Sequence, residues 1–237
     1  MFKRLLVLAP TVFALACTIP LQSADAATFD FATLAEIPGS QGGGEGFWNT
    51  QITTPGAVYT VGGIGVVATA SGATSGAPSG AYLDSFDSGK PAGLGVCSTS
   101  GGCQGTNDDN VGRVRDTVGA NTETLALTFT TSVKLTDLLF RNSDHDVFVG
   151  SLMINGILFN TSATGELTAA VLSVLSAGTT FDFFSLAGDD NRIAKDFYIS
   201  GATVSPVPLP GALPLFATGL GALGLLGWRR KKKQPSV

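Results

Sequence analysis

From residue 27 onward, apolar residues recur at every second position in short runs. Glycine, serine, asparagine and aspartate punctuate those runs. A period of two places apolar side chains on one face of an extended chain and polar ones on the other, so the pattern predicts strands. The predicted strands cover residues 28–31, 57–68, 123–130, 133–140, 147–154, 157–160, 179–186 and 197–204. Gly62-Gly63 reads as a turn or bulge within 57–68, and a two-residue break separates 123–130 from 133–140. Asn155-Gly156 between apolar runs predicts a tight hairpin, because both turn positions need positive φ. Residues 167–175 fit a strand or a helix equally well. No long helical period precedes the C-terminal tail. The expected fold is all-β, an antiparallel β-sandwich of jelly-roll type. Residues 38–46 and 71–80 read as Gly/Ser-rich loops, and 84–117 as one long irregular stretch of the kind that carries function or is clipped.

The two ends of the chain depart from this pattern. Residues 1–26 run from Lys3 and Arg4 through an apolar stretch to Ala24-Asp25-Ala26, the charged, apolar, small-residue order of a secretory signal peptide cut after Ala26. Cys17 raises the alternative of a lipid-modified cysteine, though Ala14 stands where a lipobox prefers an aliphatic residue. Residues 206–237 begin with a proline-rich break that includes Val207, Pro208, Leu209 and Pro210. An uncharged run of eighteen residues, 211–228, follows. It carries Leu213, Leu215, Phe216, Leu220, Leu223, Leu225, Leu226 and Trp228, and it predicts one membrane-crossing helix. Arg229, Arg230, Lys231, Lys232 and Lys233 form a basic stop, held on the cytoplasmic side by anionic headgroups. The organisation expected is therefore a signal peptide (1–26), an exported body (27–205) and an anchoring tail (206–237).

That tail resembles the PEP-CTERM sorting signal in its VPLPA-type variant, found at the C-terminus of exported Gram-negative proteins. The resemblance rests on Val207-Pro208-Leu209-Pro210, the run Leu213-Pro214-Leu215-Phe216-Ala217-Thr218-Gly219-Leu220 and the basic cluster. It implies recognition by an exosortase in the inner membrane, with cutting at or near the proline motif. Gly211 replaces the alanine of the variant's name, and no glutamate stands between the prolines. The middle segment is similar to ectodomains that precede such tails, in Gly93-Leu94-Gly95-Val96-Cys97, Cys103, Asp108-Asp109-Asn110, Glu123-Thr124-Leu125 and Leu138-Leu139-Phe140-Arg141. That similarity implies an exported β-domain and carries no activity with it.

Charge changes the picture of the body. Seven cations face seventeen carboxylates within 27–205, a net of ten negative charges that the overall −4 conceals. Such a surface repels phosphate, which excludes nucleic acid as a partner. Cys97 and Cys103 are the cysteines left after removal of the leader. They flank a short flexible loop, and export favours a disulfide between them. A zinc site is the rival, but two thiolates without a nearby histidine make a poor ligand set.

Three polar clusters are candidate sites. Asn107-Asp108-Asp109-Asn110, with Asp84, Asp87, Asp116 and Glu123 around it, offers the oxygen ligands that Ca²⁺ prefers. Asp108, Asp109 and Glu123 are the ligands expected for a structural Ca²⁺, against the alternative of a solvated turn. Ser143-Asp144-His145-Asp146 holds the sole histidine. It could serve a metal or acid–base chemistry, or be an exposed turn. Gly188-Asp189-Asp190-Asn191 leads to Asp196 and Tyr198, a weak likeness to sugar-binding jelly rolls. Trp48, Tyr59 and Tyr82 are the aromatics that could stack on sugars, with Phe47-Trp48 read as a core plug.

No serine elbow, histidine pair or free thiol supports a catalytic residue. The expectation is an exported, exosortase-processed surface or matrix protein without catalytic activity, associated with extracellular polysaccharide. A Ca²⁺-stabilised carbohydrate-binding module is the alternative, and a secreted hydrolase a further one.

Overall fold

A computed structural model of the 237-residue chain describes residues 25–36, 44–72, 80–85, 90, 92–98, 103, 109–112, 123–185, 196–207, 219–221 and 223. In chain order the elements are β1 (Ala27–Asp30), α1 (Phe31–Glu36), β2 (Gly46–Phe47), α2 (Trp48–Gln51), a 3₁₀ turn at Pro55–Ala57, β3 (Tyr59–Val61), β4 (Ile64–Ser71), β5 (Gly80–Asp84), β6 (Gly93–Cys97), β7 (Thr124–Asn142), β8 (Ser151–Ile154), β9 (Ile157–Asn160), β10 (Glu166–Thr168), α3 (Ala169–Leu172), β11 (Gly178–Ser185) and β12 (Phe197–Pro206). The body is all-β, and its twelve strands form one hydrogen-bonded, antiparallel system.

The nineteen-residue β7 is its spine. Its first half, from Thr124, pairs with β4 on one side and β11 on the other. Its second half, to Asn142, pairs with β12 and β10. The break expected at Thr131-Ser132 is therefore a corner inside one strand, where the ladder to β11 slips between Gly178 and Thr180.

Two further irregularities reset which side chains face inward. Thr136 has no Cα partner where the β7–β12 register slips between Thr203 and Val204, and Ser200 has none between Ile199 and Gly201. An extra residue shifts the period-two pattern by one. Val133 and Leu135 are buried before the slip, Leu138 and Phe140 after it. Each bulged hydroxyl bonds back across the ladder: Thr136 Oγ1 donates to the Thr203 carbonyl (3.1 Å) and Ser200 Oγ to the Leu139 carbonyl (3.4 Å).

The core is aromatic. Phe29 contacts Phe31, Tyr59 and Phe129, with Phe181 beyond, while Phe140, Phe148 and Phe197 form a second group. Trp48 belongs to this core and donates its indole N–H to the Ala57 carbonyl at 2.7 Å. Tyr82 is buried too, and Tyr59 is half-buried.

Two expected turns are present. Gly62-Gly63 joins β3 to β4, and Asn155-Gly156 joins β8 to β9 with φ of 49° and 78°. The ambiguous stretch at 167–175 divides into the end of β10 and the short α3. Residues 84–117 are not wholly irregular: β6 lies within them, hidden from a period-two reading by its two glycines. The strand expected at 147–154 starts only at Ser151, with Val147 making an isolated bridge to Arg141.

Of the segment expected to cross a membrane, residues 219–221 and 223 are helical, with Leu220 and Leu223 exposed. Among the described residues no helix is long and apolar enough to cross a membrane. The leader up to residue 24, Pro208, Leu209, Pro210, Leu213, Leu215, Phe216, Leu225, Leu226, Trp228 and the cations Arg229 to Lys233 lie outside the described residues. Val207 is inside them, and its N–H donates to the Ser132 carbonyl at 2.9 Å. Sheet pairing thus holds the chain as far as the first residue of the proline motif.

Candidate functional site: a roofed acidic cluster

Strands β5, β6 and β12 turn one face to the aromatic core and the other to a roof made of loops. Ala81, Leu83, Leu94, Val96, Phe197 and Ile199 point to the core. The alternate residues Tyr82, Asp84, Cys97 and Tyr198 point to the roof and are buried as well. Gly93 and Gly95 of β6 lie opposite Asp84 and Tyr82 in the ladder. The absence of a side chain at Gly95 lets the roof descend onto the strand: a Cβ there would stand 2.0 Å from the Asp109 carbonyl oxygen.

Three attachments hold the roof. The Cys97–Cys103 disulfide closes its near end, with Cα atoms 5.7 Å apart, and both cysteines pack with Tyr82 and Phe47. Val111 bridges Phe197 through paired backbone hydrogen bonds of 2.8 and 3.2 Å. Buried Glu123 accepts from the Ser98 hydroxyl and from the Gly112 N–H (3.0 Å). A carboxylate bound to two donors tolerates burial that would otherwise be costly.

The turn after β7 contributes the histidine. Asn142 is buried, and its Oδ1 accepts from the N–H groups of Asp144 (3.0 Å) and Asp146 (2.9 Å). This tight turn places His145 at φ 60°, a conformation that costs a side-chain-bearing residue energy and must be compensated by its surroundings. The ring is compensated by two acceptors. Nε2 lies 2.8 Å from Asp84 Oδ2, and Nδ1 lies 3.3 Å from the Lys90 carbonyl. The exposed turn expected at 143–146 is thus corrected: His145 is 8% exposed and inside the roof. Its neighbour Asp146 does remain outside, where it meets Lys90 Nζ at 2.7 Å. That exposed pair adds little.

Tyr198 completes the cluster. Its ring stands edge-on to His145 with centroids 5.4 Å apart, and its hydroxyl donates to Asp109 Oδ1. The titration of the group follows from these contacts. The hydrogen bond that the ring donates to Asp84 raises the pKa of His145 against the opposing effect of burial. Burial, then the charge of Asp84, pushes Asp109 up to about 7. Burial raises the phenol of Tyr198 far above its usual range, and raises Tyr82 to about 12 with help from Glu45.

Chemically, the arrangement stores a proton. Asp84 and the Lys90 carbonyl are both acceptors, so a doubly protonated ring satisfies both, and neither ring nitrogen is left to take a proton from a substrate. Asp109 and Tyr198 bond to each other under the same roof. Of the candidate Ca²⁺ ligands, Asp109 bonds to Tyr198 and Glu123 to Ser98 and Gly112, while Asp108 lies outside the described residues. Among the described residues no three His, Cys, Asp or Glu side chains are arranged to hold a metal. Asp87, Asp116 and residues 188–191 also lie outside those residues.

The sequence pattern groups Asp84 with Asp109 and places His145 in a second cluster, without joining the two. The available signal was Tyr82/Asp84 alternating opposite Gly93/Gly95, a polar and aromatic face set against residues with no side chain. Compared with known proteins, the chain matches no family model, no curated protein and no solved structure.

Proposed function

We propose that this chain is an exported surface or extracellular-matrix protein without catalytic activity. In this reading the body is a jelly-roll β-sandwich behind a signal peptide. The tail is a PEP-CTERM-type sorting segment that holds the body at the inner membrane until an exosortase processes it. The body then serves at the cell surface, in contact with extracellular polysaccharide.

One observation carries the non-catalytic part. The chain's sole histidine has both ring nitrogens occupied by protein acceptors beneath a disulfide-closed roof, which suits a lock better than a proton-transfer centre. A bridge between Cys97 and Cys103 suits an oxidising compartment. The position of Val207 agrees with processing just beyond the body, because the ladder stops where the proline motif starts.

Mass spectrometry of the mature protein from its native host tests this reading. The expected species lacks the leader, ends near Val207–Pro210 and is two hydrogens lighter at Cys97 and Cys103. Deletion of residues 207–237 should release the body from membranes. A mature chain that keeps the basic end, or a deleted chain that stays membrane-bound, overturns the proposal.

A further inference from the structure

Beside the roofed cluster, the same outward face of the sheet is open. Here β1, β12 and β7 lie side by side, and a groove of about 390 Å³ runs over them. Its floor is apolar: Leu139 lies directly opposite Gly201, whose missing side chain deepens the groove. Its rim is polar, with Asp137 and Arg141 on β7, Thr28 on β1 and Thr203 on β12. Asp30 is also on the lining, but its carboxylate already accepts from the Thr33 N–H (2.9 Å) and hydroxyl (2.7 Å).

Arg141 makes this more than a dent. Its Nε is buried and has no hydrogen-bond partner among the described residues. No ion pair forms between Arg141 and a described carboxylate, although Asp137 lines the same groove. A buried guanidinium donor left unsatisfied is costly, and such exceptions in a folded protein mark a function or a missing partner. Asp137 lines the same groove four residues back along β7, with a pKa raised by burial and by Glu166.

We infer that this groove binds a neutral polyol, a sugar residue presenting several hydroxyls. Charge selects the class. An anion would suit Arg141 but would meet Asp30 and Asp137, on a body with ten net negative charges. A cation would suit those carboxylates but would meet Arg141. A sugar hydroxyl both donates and accepts, so hydroxyls on opposite sides of one ring can accept from Arg141 and donate to Asp137. The C–H face of the ring can then cover Leu139 and the gap above Gly201. An apolar floor with a few convergent polar groups is the usual make-up of a small-molecule site. The aromatics named in the sequence play no part, since Trp48 and Tyr82 are buried in packing clusters. This inference does not depend on the sorting reading.

The test uses the full chain in a detergent without a sugar headgroup. Saturation-transfer NMR and calorimetry would probe the methyl glycosides of mannose, glucose and galactose, with inorganic phosphate and spermidine as charged comparators. At least one glycoside should bind with millimolar affinity, and both charged probes should fail. Arg141→Ala should weaken glycoside binding by roughly tenfold or more, and Asp137→Asn, a milder change, should weaken it too. Leu158→Ser, on exposed β9, should leave it unchanged. If Arg141→Ala fails to fold, Asp137→Asn decides alone. The inference is overturned if no glycoside binds, if phosphate or spermidine binds instead, or if glycoside binding survives Asp137→Asn unchanged.

Discussion

Tyr198 and Arg141 are direct partners across the β12–β7 ladder, so their side chains rise from the same face of the sheet. One enters a closed cluster and the other an open groove. The boundary between the two zones is one residue pair wide, and the loop carrying Asp109 decides where it falls. The roof is what allows Asp109 and His145 to titrate above their ordinary values while Arg141, one strand away, faces outward.

Stability should fall as pH rises. The folded pKa of Asp109, about 7, lies above its ordinary 3.8. Between those values the folded chain keeps a proton that the unfolded chain gives up, so raising pH through that window costs stability. His145 is raised above its ordinary 6.5. Its contribution is complete below 6.5 and is lost as pH climbs through the folded pKa. Urea midpoints measured from about pH 5 to about pH 8 should decline steadily. Asp109→Asn should flatten the lower part of that decline and leave the upper part in place. An unchanged lower slope in the variant would falsify the assignment.

Removing the Tyr198 hydroxyl should be costly because its acceptor stays buried. Tyr198→Phe is expected to destabilise the chain by about 1–3 kcal/mol. The double variant with Asp109→Asn should lose less than the two single losses added together. A double-mutant cycle in urea would reveal strict additivity if the contact were unimportant.

Gly95 should resist substitution despite its ordinary extended backbone. A methyl group at this position meets the Asp109 carbonyl, so Gly95→Ala should lift the roof and cost about 1–3 kcal/mol. Tyrosine near-ultraviolet dichroism should change with it, as Tyr82 and Tyr198 lose their fixed surroundings. A fully stable variant with an unaltered spectrum contradicts this.

The disulfide spans a sequence separation of 6. Chain entropy for so small a loop assigns it about 2 kcal/mol. Cys97→Ser with Cys103→Ser should therefore leave a folded protein, less stable by about that amount in thermal or urea unfolding. Loss of all folded structure would show that the bridge does more than close a loop.

Calcium should matter little. Asp109 and Glu123 already have protein donors, so adding Ca²⁺ or a chelator should shift the melting temperature by less than about 1 °C. A rise of several degrees with Ca²⁺ would place the ion in the segment that includes Asp108.

The sequence by itself determined the all-β character and most strands outside residues 69–122, the hairpin at Asn155-Gly156, the turn at Gly62-Gly63 and the plausibility of a Cys97–Cys103 bridge. These are local matters: a period of two, positive φ at two adjacent positions, two thiols a short loop apart. It could not show that one strand runs through residues 124–142, because the corner at Thr131-Ser132 looks locally like a break. Nor could it show that Thr136 and Ser200 shift the inward face by one residue. Tertiary structure alone joined Asp84 and Asp109 to His145 and Tyr198, across a sequence separation of up to 114. Burial made that union consequential, because removing water couples groups whose charges would be screened apart in an open chain. It also left the Arg141 Nε without a hydrogen-bond partner among the described residues, and an unsatisfied donor can be recognised only once its surroundings have been placed.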